Sequence, residues 1–326
     1  MGPVVRYAGL NQASHSVQVR TKGRWVTVPA IDVGGDTLIP AGKLIKIAKI
    51  RGEEMREREI EDPERYLAAL RSGEGQSLKA DIFTFTQKLP ATDPKHAYPM
   101  EWESTAVISL RSFKEWWEAL PQESRKNVRR SEKRGTVVLT KDLDPEVVEG
   151  IRRVNDDCPM RQGVKNAYYG LTSEDTWKRY GEFTGRCSFI CAYSGEEMIG
   201  FLHLVYREDV AAILNLSVKP SEFDKRPANA LVAKAVQVCE ERGISHISYG
   251  LYNYGNKRDS PLREFKVRNG FKEMLVPRYF VPLTTWGRIC MKANLHRGLI
   301  GILPTSVIST GLRARAVWYK GFHKPV

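Results

Sequence analysis

Ala211-Ala212-Ile213-Leu214-Asn215-Leu216-Ser217-Val218, followed by Lys219-Pro220-Ser221-Glu222-Phe223-Asp224-Lys225-Arg226-Pro227, is the stretch that decides how this chain folds. Its first part is a mostly apolar run of the length expected for a buried strand. Its second part is a polar turn that opens a helix. Pro227 suits the first helical position, Ala228 to Glu241 supplies good helix formers, and Gly243 is a stop. A second strand is expected over Ile244–Tyr249. A loop with Tyr252, Asn253, Tyr254, Gly255 and Asn256 then leads to a short helix over Pro261–Asn269, and Gly270-Phe271 opens a strand ending near Leu283. A β-α-β unit of this size needs a right-handed crossover, so its two strands should lie side by side and parallel.

The start of the helix is where chemistry can enter. Arg226 has no side-chain acceptor for the first-turn amides, so it is a poor N-cap. The amides of Ala228, Asn229 and Ala230 stand at the positive end of the helix, open either to water or to an external anion. Lys225 and Arg226 add fixed charge beside them.

The same stretch resembles the acyl-donor half of a GNAT-fold acyltransferase of the FemAB-like branch. The family holds a donor pyrophosphate with Gln or Arg, two residues, Gly, one residue, then Gly or Ala. The matching positions here are Lys225, Ala228 and Ala230, a degenerate copy. Phe265-Lys266, followed after three residues by Gly270-Phe271, resembles the Phe-Lys motif of FemAB-like enzymes. Ser124-Arg125-Lys126-Asn127-Val128-Arg129-Arg130-Ser131-Glu132-Lys133 resembles a further segment of that branch.

The resemblance implies a mixed α+β and α/β chain with a GNAT fold: a mostly antiparallel central sheet, a splayed parallel strand pair and flanking helices, behind a small β-rich N-terminal region. The expected divisions are residues 1–98, a GNAT-like domain over 99–283, and a basic extension over 284–326. It also implies transfer of an acyl group to an amine. Leu216, Val218 and Lys219 would supply the strand edge for the donor, and Lys225, Arg226, Ala228, Asn229 and Ala230 would hold its phosphates. Lys266 would take the role usually held by a Tyr, at the leaving group or on a phosphate. Tyr252 and Tyr254 would orient the amine. Arg125, Arg129 and Arg130 would bind a phosphate or acidic group, the rival being a solvated helix face. Arg161, Gln162, Tyr168 and Tyr169 would rim the acceptor, the rival being an ordinary loop. The donor is expected to be acyl-CoA, used as a co-substrate and without a metal. Two alternatives stay open: aminoacyl transfer from charged tRNA, as in FemAB proteins proper, or a non-catalytic module that binds nucleic acid or an anionic surface. The acceptor class includes phosphate-bearing or envelope-related amines.

Composition sets the frame for these readings. The chain has 326 residues, enough for one large or two ordinary domains, and its 42% apolar and 10% aromatic content suits a globular core. Its five cysteines, Cys158, Cys187, Cys191, Cys239 and Cys290, contain no Cys-x-x-Cys and read as reduced core residues. Met1 to Arg6 lacks the apolar centre of a signal peptide, and no apolar run reaches the roughly 20 residues of a membrane span. A cytoplasmic protein is expected, with contact to the inner face of an anionic membrane as an option. The net charge is +13, and Thr284–Val326 supplies +7 of it, through seven Lys and Arg with no Asp or Glu. Such clustering suits phosphates, nucleic acid or an anionic surface, or else serves solubility.

Other local signals complete the reading. Ser16–Thr21 and Arg24–Val28 alternate around Lys22-Gly23 as a hairpin should. Leu44–Arg51 and Asp81–Gln87 read as strands, and Asp62 caps a short helix that starts at Pro63. Ser112 and Glu115 form a capping box, and Asp144-Pro145 starts a helix running to Asp156. Cys187–Tyr193, Glu197–Tyr206 and Val210–Val218 form a meander. His203, apolar on both sides, reads as a core residue rather than a catalyst.

Overall fold

The structure is a computed structural model that describes residues 14–21, 24–53, 59–161, 164–253 and 260–298. In chain order the strands and helices are β1 His15–Thr21, β2 Arg24–Val33, β3 Asp36–Ala41, β4 Ile47–Ile50, α1 Pro63–Arg71, β5 Ile82–Thr86 and β6 Met100–Ser109. Then come α2 Phe113–Ala119, α3 Gln122–Lys133, β7 Thr136–Lys141, α4 Pro145–Asp156, β8 Met160–Arg161, β9 Val164–Lys165 and α5 Ser173–Tyr180. The rest are β10 Cys187–Ser194, β11 Glu197–Arg207, β12 Val210–Val218, α6 Pro227–Glu241, β13 His246–Leu251, α7 Pro261–Arg268, β14 Lys272–Pro282 and α8 Thr285–Lys292. The chain divides into two compact units, one up to Glu103 and again from Val276, the other Ser104–Leu275.

In the first unit the strand order is β1-β2-β3-β4-β5-β14. β1 and β2 form the expected antiparallel hairpin, whose Lys22-Gly23 turn lies outside the described residues. β3 was not expected; Gly34 and Gly35, both at positive φ, turn β2 into it. β4 and β5 are parallel, and α1 bridges them. The Asp62 side chain accepts from the Arg65 amide as a cap should. Ile31, Leu38, Leu67, Phe83, Phe85 and Tyr279 form the buried core of this unit.

In the second unit the order is β6-β13-β12-β11-β10-β7. β10, β11 and β12 are the expected meander. α4 lies close on β11 because Gly150 leaves room: a Cβ there would come within 2.6 Å of the Met198 side chain. α6 crosses the other face with Leu231, Val232, Ala235 and Val236 buried, and α3 packs on it. His203 is buried at 2% exposure, stacked 4.5 Å from Phe189, and burial pushes its pKa down to about 3. It is a neutral core residue, as its apolar flanks predict.

Candidate active site

β12 and β13 are parallel, but they stay paired only at Val210↔His246, Ala211↔Ile247 and Ala212↔Ser248. Beyond Ala212 the two strands part, while β12 continues on β11 as far as Val218. The Lys219 amide donates to Ile199 O of β11 at 2.9 Å. Backbone direction alternates along a strand, so Leu216 and Val218 turn theirs to the β13 side, into the gap.

The gap is a cavity of about 200 Å³. Leu216, Ser217 and Val218 form one wall, with Tyr249 of β13 and Leu262 and Phe265 of α7 opposite. Ala228 of α6 closes one end, and Asn155, Cys158 and Asn166, near the end of α4, reach its rim. A second cavity of about 150 Å³ is lined by Ser124 and Asn127 of α3, Arg226 and Asn229 at the start of α6, and Glu264, Phe265, Arg268 and Asn269 of α7. Phe265 lines both.

The front of α6 has the bare character its sequence implies. Arg226, the residue before Pro227, sits in the left-handed region (φ +59°) and makes no side-chain cap. The Asn229 amide already donates to Arg226 O at 3.2 Å, so this first-turn amide is partly taken up. The Asn229 side chain donates to Asn269 Oδ1 at 3.0 Å.

Lys266 is fully buried, and its Nζ donates to Tyr249 O at 2.6 Å and Leu251 O at 2.7 Å. It also lies 4.6 Å over the Tyr249 ring. Burial lowers its pKa to about 8. The lysine therefore fastens the end of β13 where that strand leaves β12. It does not line the cavity, and this departs from the expected contact with a leaving group or phosphate. The physical reason is that two strand carbonyls past the divergence need a donor, and a buried ammonium needs acceptors.

Other expected residues are also otherwise engaged. Lys219 is buried and paired with Glu197, and Lys225 pairs with Glu222 at 2.6 Å and donates to Ser194 Oγ at 2.9 Å. Tyr252 is buried beneath the Arg263 guanidinium, 4.9 Å from its ring. Tyr254 and Gln162 lie outside the described residues, as does the side chain of Arg161. Tyr168 carries the Arg179 guanidinium at 5.7 Å, and Tyr169 is exposed; neither lines a cavity. Arg125, Arg129 and Arg130 also stand off both cavities, and Arg129 lies over the Trp117 ring at 5.7 Å. The same helix instead turns Ser124 and Asn127 to the second cavity; Ser124 Oγ donates to Arg268 O at 2.5 Å.

Sequence reasoning passed over Tyr249, Phe265, Ser124 and the Asn155–Asn166 rim. Phe265 had a signal, as half of the Phe-Lys motif. Asn155 had none, because it reads as the last turn of a helix.

A parallel pair that parts beside the front of a crossover helix, within a largely antiparallel sheet, defines the GNAT class of fold. Residues 121–259 match the family model described as Acetyltransferase (GNAT) domain. FemX shares the fold at 12% identity over 82% of this chain and 88% of that one, with a TM-score of 0.51. The C-terminal domain assigned to a lysylphosphatidylglycerol synthetase of Agrobacterium fabrum shares it at 14% identity, over 82% and 88%, with a TM-score of 0.54. L-PGS from Bacillus licheniformis does so at 16% identity, over 84% and 86%, with a TM-score of 0.51. No curated protein matches the sequence. At these identities the structural likeness is one of fold. Residues 121–259 thus match a GNAT domain, in a chain whose fold is shared with FemX.

Proposed function

We propose that the second unit transfers an acyl group to an amine, with the acyl-bearing arm of the donor laid in the gap between β12 and β13. The observation that carries this reading is the end of pairing after Ala212 and Ser248, which leaves a cavity walled on one side by Leu216, Ser217 and Val218 of β12. A donor with amide groups can pair with β12 at Val218 as an added strand would. The amine nitrogen attacks the donor carbonyl carbon, the bond to sulfur or oxygen breaks with its electron pair leaving on that atom, and the proton lost by the amine passes through solvent to the departing thiolate or alkoxide. The Val218 amide faces the place where negative charge develops on the carbonyl oxygen. Holding amine and carbonyl together supplies much of the rate. Lys266 acts as a positioning residue, since it fixes the β13 wall of the gap.

The donor we propose is an acyl-CoA thioester, its phosphates set against the front of α6 beside Arg226. A second reading, an aminoacyl ester on tRNA, draws on the second cavity, where Ser124, Asn127 and Asn269 offer polar groups next to Phe265. The Phe265-Lys266 motif and the fold shared with a protein named for lysylphosphatidylglycerol agree with it. Isothermal titration with acetyl-CoA and longer acyl-CoA, alongside single-turnover transfer from charged tRNA, separates the two. Binding of a thioester with turnover on an amine supports the first. Turnover from tRNA alone supports the second, and neither activity, with salt-steep tRNA binding only, would leave a binding module.

A further inference from the structure

We infer that the first unit carries a docking face for an anionic lipid bilayer, formed by Leu44, Trp286 and Ile289 and rimmed by Lys43, Arg288 and Lys292. This is independent of the transferase reading, because none of these residues belongs to the second unit.

The face is apolar and outward. Leu44 is 89% exposed, Trp286 47% and Ile289 51%. Trp286 Nε1 donates to Leu44 O at 3.4 Å, so the β3–β4 loop and α8 meet there. Ile289 follows Trp286 by three residues and shares its side of the helix. The adjoining side of α8 holds the buried Gly287 and Cys290, and a Cβ on Gly287 would fall 2.0 Å from Asp81 O. The helix is thus seated by its small residues, with its large apolar ones turned to solvent. Burial does not explain an exposed Trp, Ile and Leu side by side; contact with another apolar phase does.

Charge selects that phase. Lys43, Arg288 and Lys292 are all exposed. The Asp81 carboxylate accepts from the Lys46 amide at 2.9 Å and from Thr284 Oγ1 at 3.1 Å. Glu101 is held by Arg297 at 2.9 Å and His296 at 2.6 Å. Glu101 is paired by Arg297, Asp81 keeps its single negative charge, and the three exposed cations outnumber it. A second copy of this face would set cation against cation across a two-fold contact, which is disfavoured. Nucleic acid would meet the cations but leave Leu44 and Ile289 in water. An anionic bilayer satisfies both: Trp settles at the headgroup level, aliphatic side chains enter the acyl boundary, and lysines and arginines reach back to phosphate.

The test is sedimentation of the full chain with unilamellar vesicles. Phosphatidylcholine mixed with phosphatidylglycerol should carry the protein down, phosphatidylcholine alone should not, and added salt should weaken the binding. The pair Trp286→Ser with Ile289→Ser should lower partition roughly tenfold or more. Arg288→Glu with Lys292→Glu should do the same on anionic vesicles. Both pairs alter exposed side chains, so their melting temperatures should stay near the parent's. The proposal fails if the parent stays in solution with anionic vesicles or binds neutral ones equally. It fails if both pair variants bind like the parent. It also fails if sedimentation velocity shows a dimer that Trp286→Ser dissolves, since the face would then belong to a second copy.

Discussion

At Lys266 burial and hydrogen bonding pull in opposite directions. Loss of water pushes the pKa from 10.5 to about 8, while two carbonyls and the Tyr249 ring favour the ammonium. The unfolded chain keeps this proton up to its ordinary range. Between about pH 8 and 10.5 the unfolded state therefore binds more protons, and this group makes stability rise with pH. Losing the charge also slackens the hold on β13, so transfer should slow above about pH 8. Lys266→Met should remove that alkaline limb from the pH–rate profile and lower the rate at least tenfold. The two carbonyls left without their donor should lower stability by about 1–3 kcal/mol in denaturant titrations. A variant with the parent's profile would leave Lys266 with no part in positioning. His203 gives a cleaner sign. Its pKa falls from 6.5 to about 3, so its neutral form fits the core, and stability is lost as pH drops from about 6.5 towards 3. His203→Phe, stacked on Phe189, should gain stability relative to the parent at pH 5 but little at pH 8, which thermal melts at both values would show.

At the scale of elements, the site depends on how two strands end. β12 has nine residues and β13 six, yet they share only three paired positions. The helix between them matches the sequence reading, Pro227 to Glu241. So do the limits of α4 and the cap on α2, where Ser112 Oγ accepts from the Glu115 amide at 3.1 Å. These were legible because caps, prolines and periodicity act within a turn or two. The face that α3 presents to the site was not. The resemblance of this segment pointed to Arg125, Arg129 and Arg130, but α6 and α7 receive the side bearing Ser124 and Asn127. Ala228, half-buried at the cavity end, offers a test of the gap itself. Ala228→Phe should fill that end and weaken donor binding at least tenfold by calorimetry, with the fold intact. Unchanged affinity would place the donor elsewhere.

Across the whole molecule, the charge of +13 is not spread evenly, and one cation serves the first unit alone. Arg278 of β14 pairs with Glu53 at 2.9 Å and Glu103 at 2.8 Å, and its side chain is 24% exposed. Both carboxylates hold its charged form, whose pKa is raised although burial alone would lower it. Arg278→Met would leave two carboxylates facing an apolar side chain. A loss of about 3 kcal/mol is expected, at the low end for a broken buried pair because a quarter of the arginine meets water. Equilibrium unfolding would measure it, and a change below about 0.5 kcal/mol, the scale of an ordinary surface substitution, would show that the network is surface decoration. No described helix is long and apolar enough to cross a membrane.

The amino-acid sequence by itself determined the β10–β12 meander, the starts and stops of several helices, the β-α-β order around Pro227, the core place of His203 and the GNAT resemblance. Each rests on signals carried within a few residues: periodicity, capping chemistry, turn residues. Only the tertiary structure decided where β12 and β13 part, what Lys266 holds and which residues face the gap. Those outcomes depend on which polar groups remain unsatisfied after packing, and their partners lie far apart along the chain. Lys266 reaches a carbonyl 17 residues back, and Ser124 one that is 144 residues ahead. Pairing over such separations is fixed by the assembled core rather than by local propensity.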